Sequence, residues 1–401
     1  MDLKSGLPFS LIKSGLVADY PKLEHDIKTD VVIIGGGISG ALAAYYLIKN
    51  NIPCVVVDAR TIGLGSTAAS TSLLQYEIDT PLHKLINFVG TKNAVKSYWL
   101  CAQAIDKLNQ IRKEIKFTNF ETKQSLYYAA TKKDVAELET EYRIRKQHGF
   151  KVSLLKEDAV FKKIGLHAPA AILSAKAAQT DAYLFTHSLL QYNIKKGLMV
   201  FDRTPITDIR HSTKTVKLTT ENGKTLQAKK IIYATGYETV NYIDKKILKL
   251  QSTYAIASEV LSTPKPFWKN DMLIWNTANP YLYIRTTEDN RIIVGGRDEN
   301  FYSPGRRDKL LKKKTKQLSK DFLKLFPDIN FTPEFSWTGT FGSTKDGLPF
   351  IGTYNKLPNS YFALGFGGNG ITFSLIAAEI ITAFLRGKKN KDAAIFSFDR
   401  I

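Results

Sequence analysis

Residues 30–40 read DVVIIGGGISG, and the acidic residue that answers them downstream is Asp58. Val31 to Ile34 form an apolar strand that runs into Gly35, Gly37 and Gly40, spaced as GxGxxG. A helix-forming run from Ala41 to Lys49 follows, and a second apolar strand, Cys54 to Val57, ends on Asp58. Gly35 permits the tight strand-to-helix turn, Gly37 lets backbone approach a pyrophosphate, and Gly40 lets the helix press on the sheet. Phosphates then rest on N–H groups that the first helical turn leaves unpaired. Asp58, about 20 residues on, is placed to accept hydrogen bonds from a ribose. The glycine spacing alone is a weak signal. With the strand, helix, second strand and terminal acid in this order, it predicts an α/β, Rossmann-like unit holding an ADP-containing cofactor.

A chain of 401 residues is long for one core and suits two domains. Hydrophobic residues make up 44% and charged residues 23%, the balance of a soluble globular protein. The apolar runs are interrupted by polar residues short of membrane-spanning length, so no integral membrane segment is expected. The start, MDLKSGLPFSLIKSG, has no basic n-region followed by a continuous apolar stretch, so no signal peptide is expected either. Two cysteines, Cys54 and Cys101, cannot build a disulfide framework, and the six histidines show no metal-ligand spacing. The expectation is a reducing, cytoplasmic setting and no metal.

The net charge of +20 invites nucleic acid or anionic lipid as a partner. Its densest patch is RRDKLLKKKTKQLSK, Arg306 to Lys320, where Leu310, Leu311, Leu318 and Phe322 recur at helical spacing. That pattern reads as an amphipathic helix with a solvated lysine face. No aromatic residues are interleaved there for base stacking, and no nucleic-acid partner is expected.

No repeat or low-complexity segment stands out. Helical patterns are expected between Leu82 and Lys113, over Lys132–Gln147 and over Tyr183–Lys195, and a strand over Ser125–Ala130. Leu198 to Thr220 alternates as strands, with a hairpin turn at Glu221-Asn222-Gly223. From Gln251 to Trp337 the pattern turns β-rich, which suits a mixed or antiparallel sheet inserted into the nucleotide unit. A final helix is expected over Ser374–Leu385. The expected division is a discontinuous cofactor domain (28–80, 153–250 and 338–401), a substrate domain (81–152 and 251–337) and a lead-in (1–27).

Three further segments narrow the cofactor. Arg60 to Thr71, RTIGLGSTAAST, is rich in small and hydroxyl residues and can wrap an extended phosphate–ribityl chain, unless it is only a flexible loop. TKDGLPFIG (Thr344 to Gly352) precedes a strand, and GFGGNGI (Gly365 to Ile371) then opens the last helix. A second glycine-rich helix start can receive the negative charge that a flavin gains on reduction, which an NAD dehydrogenase does not need.

On DVVIIGGGISG, RTIGLGSTAAS, TPITDI (204–209), IIYATG (231–236), RIIVGG (291–296), TKDGLPFIG and GFGGNGI, the chain resembles a group of FAD-dependent amine oxidoreductases over nearly its whole length. These are the glycine oxidases, sarcosine oxidases and D-amino-acid oxidases. The resemblance puts Gly35, Gly37 and Gly40 at the pyrophosphate, and Asp58, with Ala59 and Arg60, at the ribose. It puts Ser66, Thr67, Ser70 and Thr71 along the phosphates and ribityl chain, Ile206 at the adenine and Gly236 beneath the cofactor. Gly368, Asn369, Gly370 and Ile371 then hold the pyrimidine side of the ring. Sarcosine oxidases tether their flavin through a cysteine in the C-terminal region; both cysteines here lie upstream, so noncovalent FAD is implied.

One departure bears on the substrate. Glycine and D-amino-acid oxidases place an arginine for the substrate carboxylate just before the TxDGxPxIG motif. Here that stretch runs from Trp337 to Thr344, with Phe341 at the arginine's place. Either the substrate lacks that carboxylate or another cation serves. Arg285 is the candidate substitute, because Tyr281, Tyr283 and Arg285 alternate in YLYIRTT and share one strand face. Tyr283, Arg285 and Gln75 are the expected substrate-side residues, against the plainer readings of a core aromatic, a salt-bridge arginine and a loop amide.

The expected reaction is hydride transfer to flavin from the carbon bearing the nitrogen of a small amine or N-alkyl amino acid. The imine then hydrolyses, and oxygen or a carrier reoxidises the flavin. The rivals are oxidation of a C–O bond, as in 2-hydroxyacid or glycerol-phosphate dehydrogenases, and a binding protein that keeps FAD as structure.

Overall fold

The structure is a computed structural model that describes residues 1–245, 247–263 and 265–400. The strand Ile27–Ile34 is buried over its last four residues, and Cys54–Val57 throughout. Burial on both faces is what a central parallel strand demands. The two strands pair in parallel, with Val31 opposite Cys54 and Ile34 opposite Val57. Successive side chains point to opposite faces. Val31, Ile33 and Val56 meet the helices Ile38–Lys49, Ala182–Ile194 and Gly370–Leu385. Val32, Ile34, Val55 and Val57 pack on the other side with Phe201, Val216, Phe350 and Phe398.

Among the described residues the strands form two sheets. The first has the order Phe350–Tyr354, Leu357–Leu364, Thr225–Tyr233, Ile27–Ile34, Cys54–Val57, Met199–Phe201, and it is parallel apart from its first pair. Ile206–His211 and Val216–Thr220 extend it from Thr225–Tyr233 as an antiparallel meander. The second sheet is larger and almost wholly antiparallel, and its one parallel pair joins Leu273–Asn276 to Phe120–Tyr128. The lysine-rich helix Pro304–Leu325 covers it, burying Leu318 and Phe322 among Trp268, Phe326 and Phe331. A mixed α/β fold of this kind, a Rossmann-like unit joined to an antiparallel sheet, agrees with the sequence reading.

Sheet membership differs from that reading in places. Leu73–Gln75, Val152–Lys156, Ala170–Thr180 and Pro333–Ser343 belong to the larger sheet, as does the N-terminal Lys4–Gly6 on Trp337–Gly339. Ala170–Thr180, AAILSAKAAQT, is alanine-rich and has little β-branched alternation, so it carries no strand signal of its own. Pairing on both sides makes it a strand. The helix Leu82–Glu114 is interrupted at Gly90, whose φ of 77° breaks the helical path.

The final helix starts at Gly370, ahead of the expected Ser374. Gly367–Leu385 is, among the described residues, the single helical stretch whose length and composition would let it cross a membrane. The helix is sandwiched against Ile38–Lys49 and Leu82–Glu114, and most of its residues are buried. An all-round apolar helix is what such a central position requires.

Candidate active site

A cavity of about 300 Å³ runs from the dinucleotide turn to the start of the last helix. At the first end the tight turn depends on two glycines. Gly35 sits at φ +108°, and a Cβ there would lie 2.4 Å from the Ala234 carbonyl oxygen. A Cβ on Gly40 would lie 1.8 Å from the Gly35 carbonyl oxygen. Gly37 begins the helix Ile38–Lys49 and lines the cavity, whereas Gly40 lies behind the turn and does not.

Asp58 reaches back across the turn, accepting from the Gly36 N–H at 2.7 Å and the Arg60 N–H at 2.8 Å. Burial pushes its carboxyl above the usual range, against those two bonds. A ribose hydroxyl pair would add further donors to this buried acid. Arg60 does not point to a phosphate: its guanidinium forks onto Glu238, which also accepts from the N-terminal ammonium of Met1 at 2.6 Å. Leu3 joins the cavity wall through the same closure.

The stretch after Arg60 wraps the cavity. Ser66, Thr67, Ser70 and Thr71 all line it. Thr67 Oγ1 accepts from the Ile38 N–H at 3.0 Å, and Ser66 Oγ is buried with no partner. Gly236, at φ +55°, passes along the same wall.

At the far end, Gly368, Asn369, Gly370 and Ile371 line the cavity where the helix Gly370–Leu385 begins. Its first turn presents unpaired N–H groups and the positive end of the helix dipole. Asn369 Nδ2 donates to the carbonyls of Gln75 (3.2 Å) and Glu77 (2.8 Å), tying the helix start to the chain after Leu73–Gln75. Behind that chain lies a closed ion-pair group. Arg145, wholly buried, pairs with Glu141 at 2.6 Å and Glu77 at 3.3 Å and sits among the rings of Tyr76, Tyr98 and Tyr127.

Of the expected substrate-side residues, Tyr283 and Gln75 line the cavity, with Gln75 Nε2 donating to Ser125 Oγ at 3.1 Å. Arg285 does not. It is buried, donates to the carbonyls of Thr71 and Thr286, and borders a small separate cavity with Glu121, Asp181 and Glu288. Burial pulls its guanidinium down to about 10. Backbone carbonyls on its own side of the sheet hold the side chain away from the site. Ile206 is likewise absent from the lining; it starts the strand Ile206–His211 and packs into the core beneath the sheet. Phe341 does line the cavity.

Several lining residues were not singled out from the sequence: Glu77, Asp79, Tyr237, Glu238, Trp275 and Asp298. Asp79 Oδ2 accepts from the Gly368 N–H at 2.7 Å, and its Oδ1 accepts from the Tyr281 hydroxyl at 3.1 Å. Asp298 directly follows the quoted RIIVGG with one residue between, and burial pushes its carboxyl up to about 7. Only Tyr281 among the new aromatics carried a signal, through its alternation with Tyr283.

The cavity fits FAD on the structure's own terms. A buried hydroxyl without a partner on Ser66, the Asp58 acid at the end of the second strand, and a turn that admits no Cβ lie along its length. Cys54 and Cys101 are buried in the core and lie outside the lining, which suits a noncovalent cofactor.

Comparison with known proteins agrees. The family model described as FAD dependent oxidoreductase (DAO) matches residues 30–384. A Bacillus subtilis (strain 168) protein provisionally named as a Rieske 2Fe-2S iron-sulfur protein, YhfW, is 25% identical, across 95% of this chain and 73% of that one. The gamma-glutamylputrescine oxidoreductase of Escherichia coli (strain K12) is also 25% identical, across 92% of this chain and 86% of its own. Among solved structures, glycine oxidase from Geobacillus kaustophilus superposes with a TM-score of 0.78 at 21% identity, covering 93% of this chain and 99% of that one.

Proposed function

The chain belongs to the family of FAD-dependent oxidoreductases, and from that premise we propose that it oxidises the C–N bond of a small amine. Bound FAD supplies a two-electron acceptor: the carbon attached to nitrogen gives up a hydride, and the resulting imine is hydrolysed by water. We assign Gly35 and Gly37 to the pyrophosphate, Asp58 to the ribose, and Ser66, Thr67, Ser70 and Thr71 to the phosphate–ribityl chain. Gly368, Asn369, Gly370 and Ile371 hold the pyrimidine side of the ring, where the helix start stabilises the charge that reduction brings.

The chain's own residues otherwise bind, orient and exclude water. Tyr281, Tyr283, Trp275 and Phe341 wall the substrate end, and Gln75 offers an amide to it. Positioning an amine against a flavin asks for little acid–base chemistry. The free thiols of Cys54 and Cys101 suit a reducing cytoplasm.

The observation that favours C–N over C–O chemistry is charge. A 2-hydroxyacid or a glycerol phosphate needs a cation to hold its anionic group. Among the described lining residues the sole cation is Arg60, and Glu238 already engages it. The test is to load the protein with FAD and add amines, N-methyl amino acids and hydroxy acids without oxygen. Loss of the flavin band near ~450 nm on adding an amine supports the assignment. Loss with a hydroxy acid alone transfers it to C–O oxidation, and no loss with any donor leaves FAD as a structural group.

A further inference from the structure

The substrate end of the cavity holds two carboxylates, Asp79 and Asp298, that no cation among the described lining residues answers. Glu77 also lines it, but Arg145 already pairs with its Oε1, and Arg60 lies at the ribose end, committed to Glu238. Oδ1 of Asp298 is buried there without any hydrogen-bond partner. A buried carboxylate oxygen with no donor is costly, so a donor that enters beside Asp298 is favoured.

The aromatic residues around these acids favour a cation as that donor. Tyr281 stands between Trp275 and Tyr283, with ring centroids 6.2 and 5.8 Å away. Its hydroxyl donates to Asp79, which also accepts from the Gly368 N–H. Carboxylates among tryptophan and tyrosine rings make a site for an ammonium group. Among the described lining residues, Phe341 and the outward-held Arg285 leave no cation there for a substrate carboxylate.

We infer that the substrate is a diamine or polyamine with no carboxylate, held by its distal ammonium at Asp298 and Asp79 among Tyr281 and Tyr283. This rests on the C–N reading and narrows it. The reacting amine is neutral. Its carbon passes a hydride, with both electrons of the C–H bond, to FAD while the nitrogen lone pair closes a C=N bond. Water then adds to that carbon, the C–N bond breaks, and ammonium leaves with an aminoaldehyde as the other product. The two electrons go on to dioxygen, giving hydrogen peroxide, or to an electron carrier.

The test is anaerobic stopped-flow on the FAD-loaded full chain with three four-carbon donors: the α,ω-diamine, the monoamine and 4-aminobutanoate. Saturation of the flavin-bleaching rate gives a dissociation constant and a limiting rate for each. The diamine is expected to bind at least about tenfold tighter than either partner compound. Asp298→Asn is expected to weaken the diamine about tenfold or more, bringing its constant toward that of the monoamine, which has no distal ammonium to lose. Asp298→Glu, which keeps the charge, retains the diamine preference. Equal or tighter binding of 4-aminobutanoate in the unaltered protein overturns the inference, as does an Asp298→Asn protein that keeps the preference. Failure of the underlying reading looks different: no donor amine bleaches the flavin, whatever its charge.

Discussion

Replacing Arg145 with methionine removes the one cation from a closed group of buried acids. Arg145 pairs with Glu141 at 2.6 Å and Glu77 at 3.3 Å, and all three side chains are buried. Breaking a buried pair from one side costs about 3–5 kcal/mol, because the partner charge is left uncompensated. Three tyrosine rings lie 5.7–5.9 Å from the guanidinium carbon, adding about 0.5–2 kcal/mol of cation–π attraction. Two features reduce the loss. Glu141 keeps donors in the Leu82 N–H, the His83 N–H and the His83 ring. Glu77, which burial already pushes up, can take a proton.

The net expectation for Arg145→Met is a loss of about 4 kcal/mol of unfolding free energy, near the middle of the range for a broken buried pair. Adding Glu77→Gln to it should recover about 1–2 kcal/mol, since the double variant leaves one buried acid fewer without its partner. The assay is urea unfolding followed by far-ultraviolet circular dichroism at a fixed excess of FAD, so that ligand linkage is the same for each protein. Because Asn369 ties Glu77 to the helix start, the single variant should also retain FAD less well. A loss below about 1 kcal/mol, the size of an exposed pair, would refute the reasoning.

Other outcomes follow from the same geometry. Gly40→Ala puts a Cβ against the Gly35 backbone and should displace the helix start, lowering FAD affinity at least about tenfold by fluorescence titration. Phe341→Arg places a guanidinium in the cavity wall and should reverse the preference, with 4-aminobutanoate binding at least about tenfold tighter than in the unaltered protein and the diamine weaker. Diamine affinity should rise as pH climbs through about 7, because burial holds Asp298 protonated up to there, with Asp79 and Glu299 acting in the same sense and Thr253 and Lys314 against it. Asp298→Asn should flatten that rise in a pH series of binding constants.

Acid should loosen the Arg145 group in a defined window. Burial pushes Glu141 up, but Arg145 and then His83 and the Leu82 N–H bring it down to about 2. A carboxyl lowered on folding stabilises the protein above its unfolded value near ~4.5, and the contribution fades as pH falls from there toward ~2. Glu141→Gln should remove that part of the acid sensitivity in thermal unfolding between those limits.

The dinucleotide half of the fold was legible because each of its parts has a local cause. Gly35 needs positive φ, the strand Cys54–Val57 is apolar throughout, and Asp58 ends it, so the strand–turn–helix–strand order is written in adjacent residues. The hairpin at Asn222-Gly223 and the amphipathic Pro304–Leu325 are equally local. What stayed hidden depends on distant pairing. Ala170–Thr180 is a strand because Phe120–Tyr128 and Val152–Lys156 lie on either side of it, and its own side chains do not say so.

The site divides along the same line. Residues on the glycine-rich turns, from Ser66 to Thr71 and from Gly368 to Ile371, could be placed from sequence because they flank helix starts. Arg285 could not: alternation put it on the face of Tyr283, but the carbonyls of Thr71 and Thr286 turn its head aside. Asp79 and Asp298 are single acids in unremarked positions, far apart in the chain, and only the packing of the larger sheet against the helix start brings them into one cavity.

The central claim is a C–N oxidation carried out with bound FAD. Its most direct test is a single anaerobic turnover of the FAD-loaded protein with the four-carbon diamine, counting ammonia released against flavin bleached. The account predicts full bleaching with one ammonia per flavin. Bleaching by a 2-hydroxyacid or glycerol phosphate, with an amine that leaves the flavin oxidised and yields no ammonia, would contradict it.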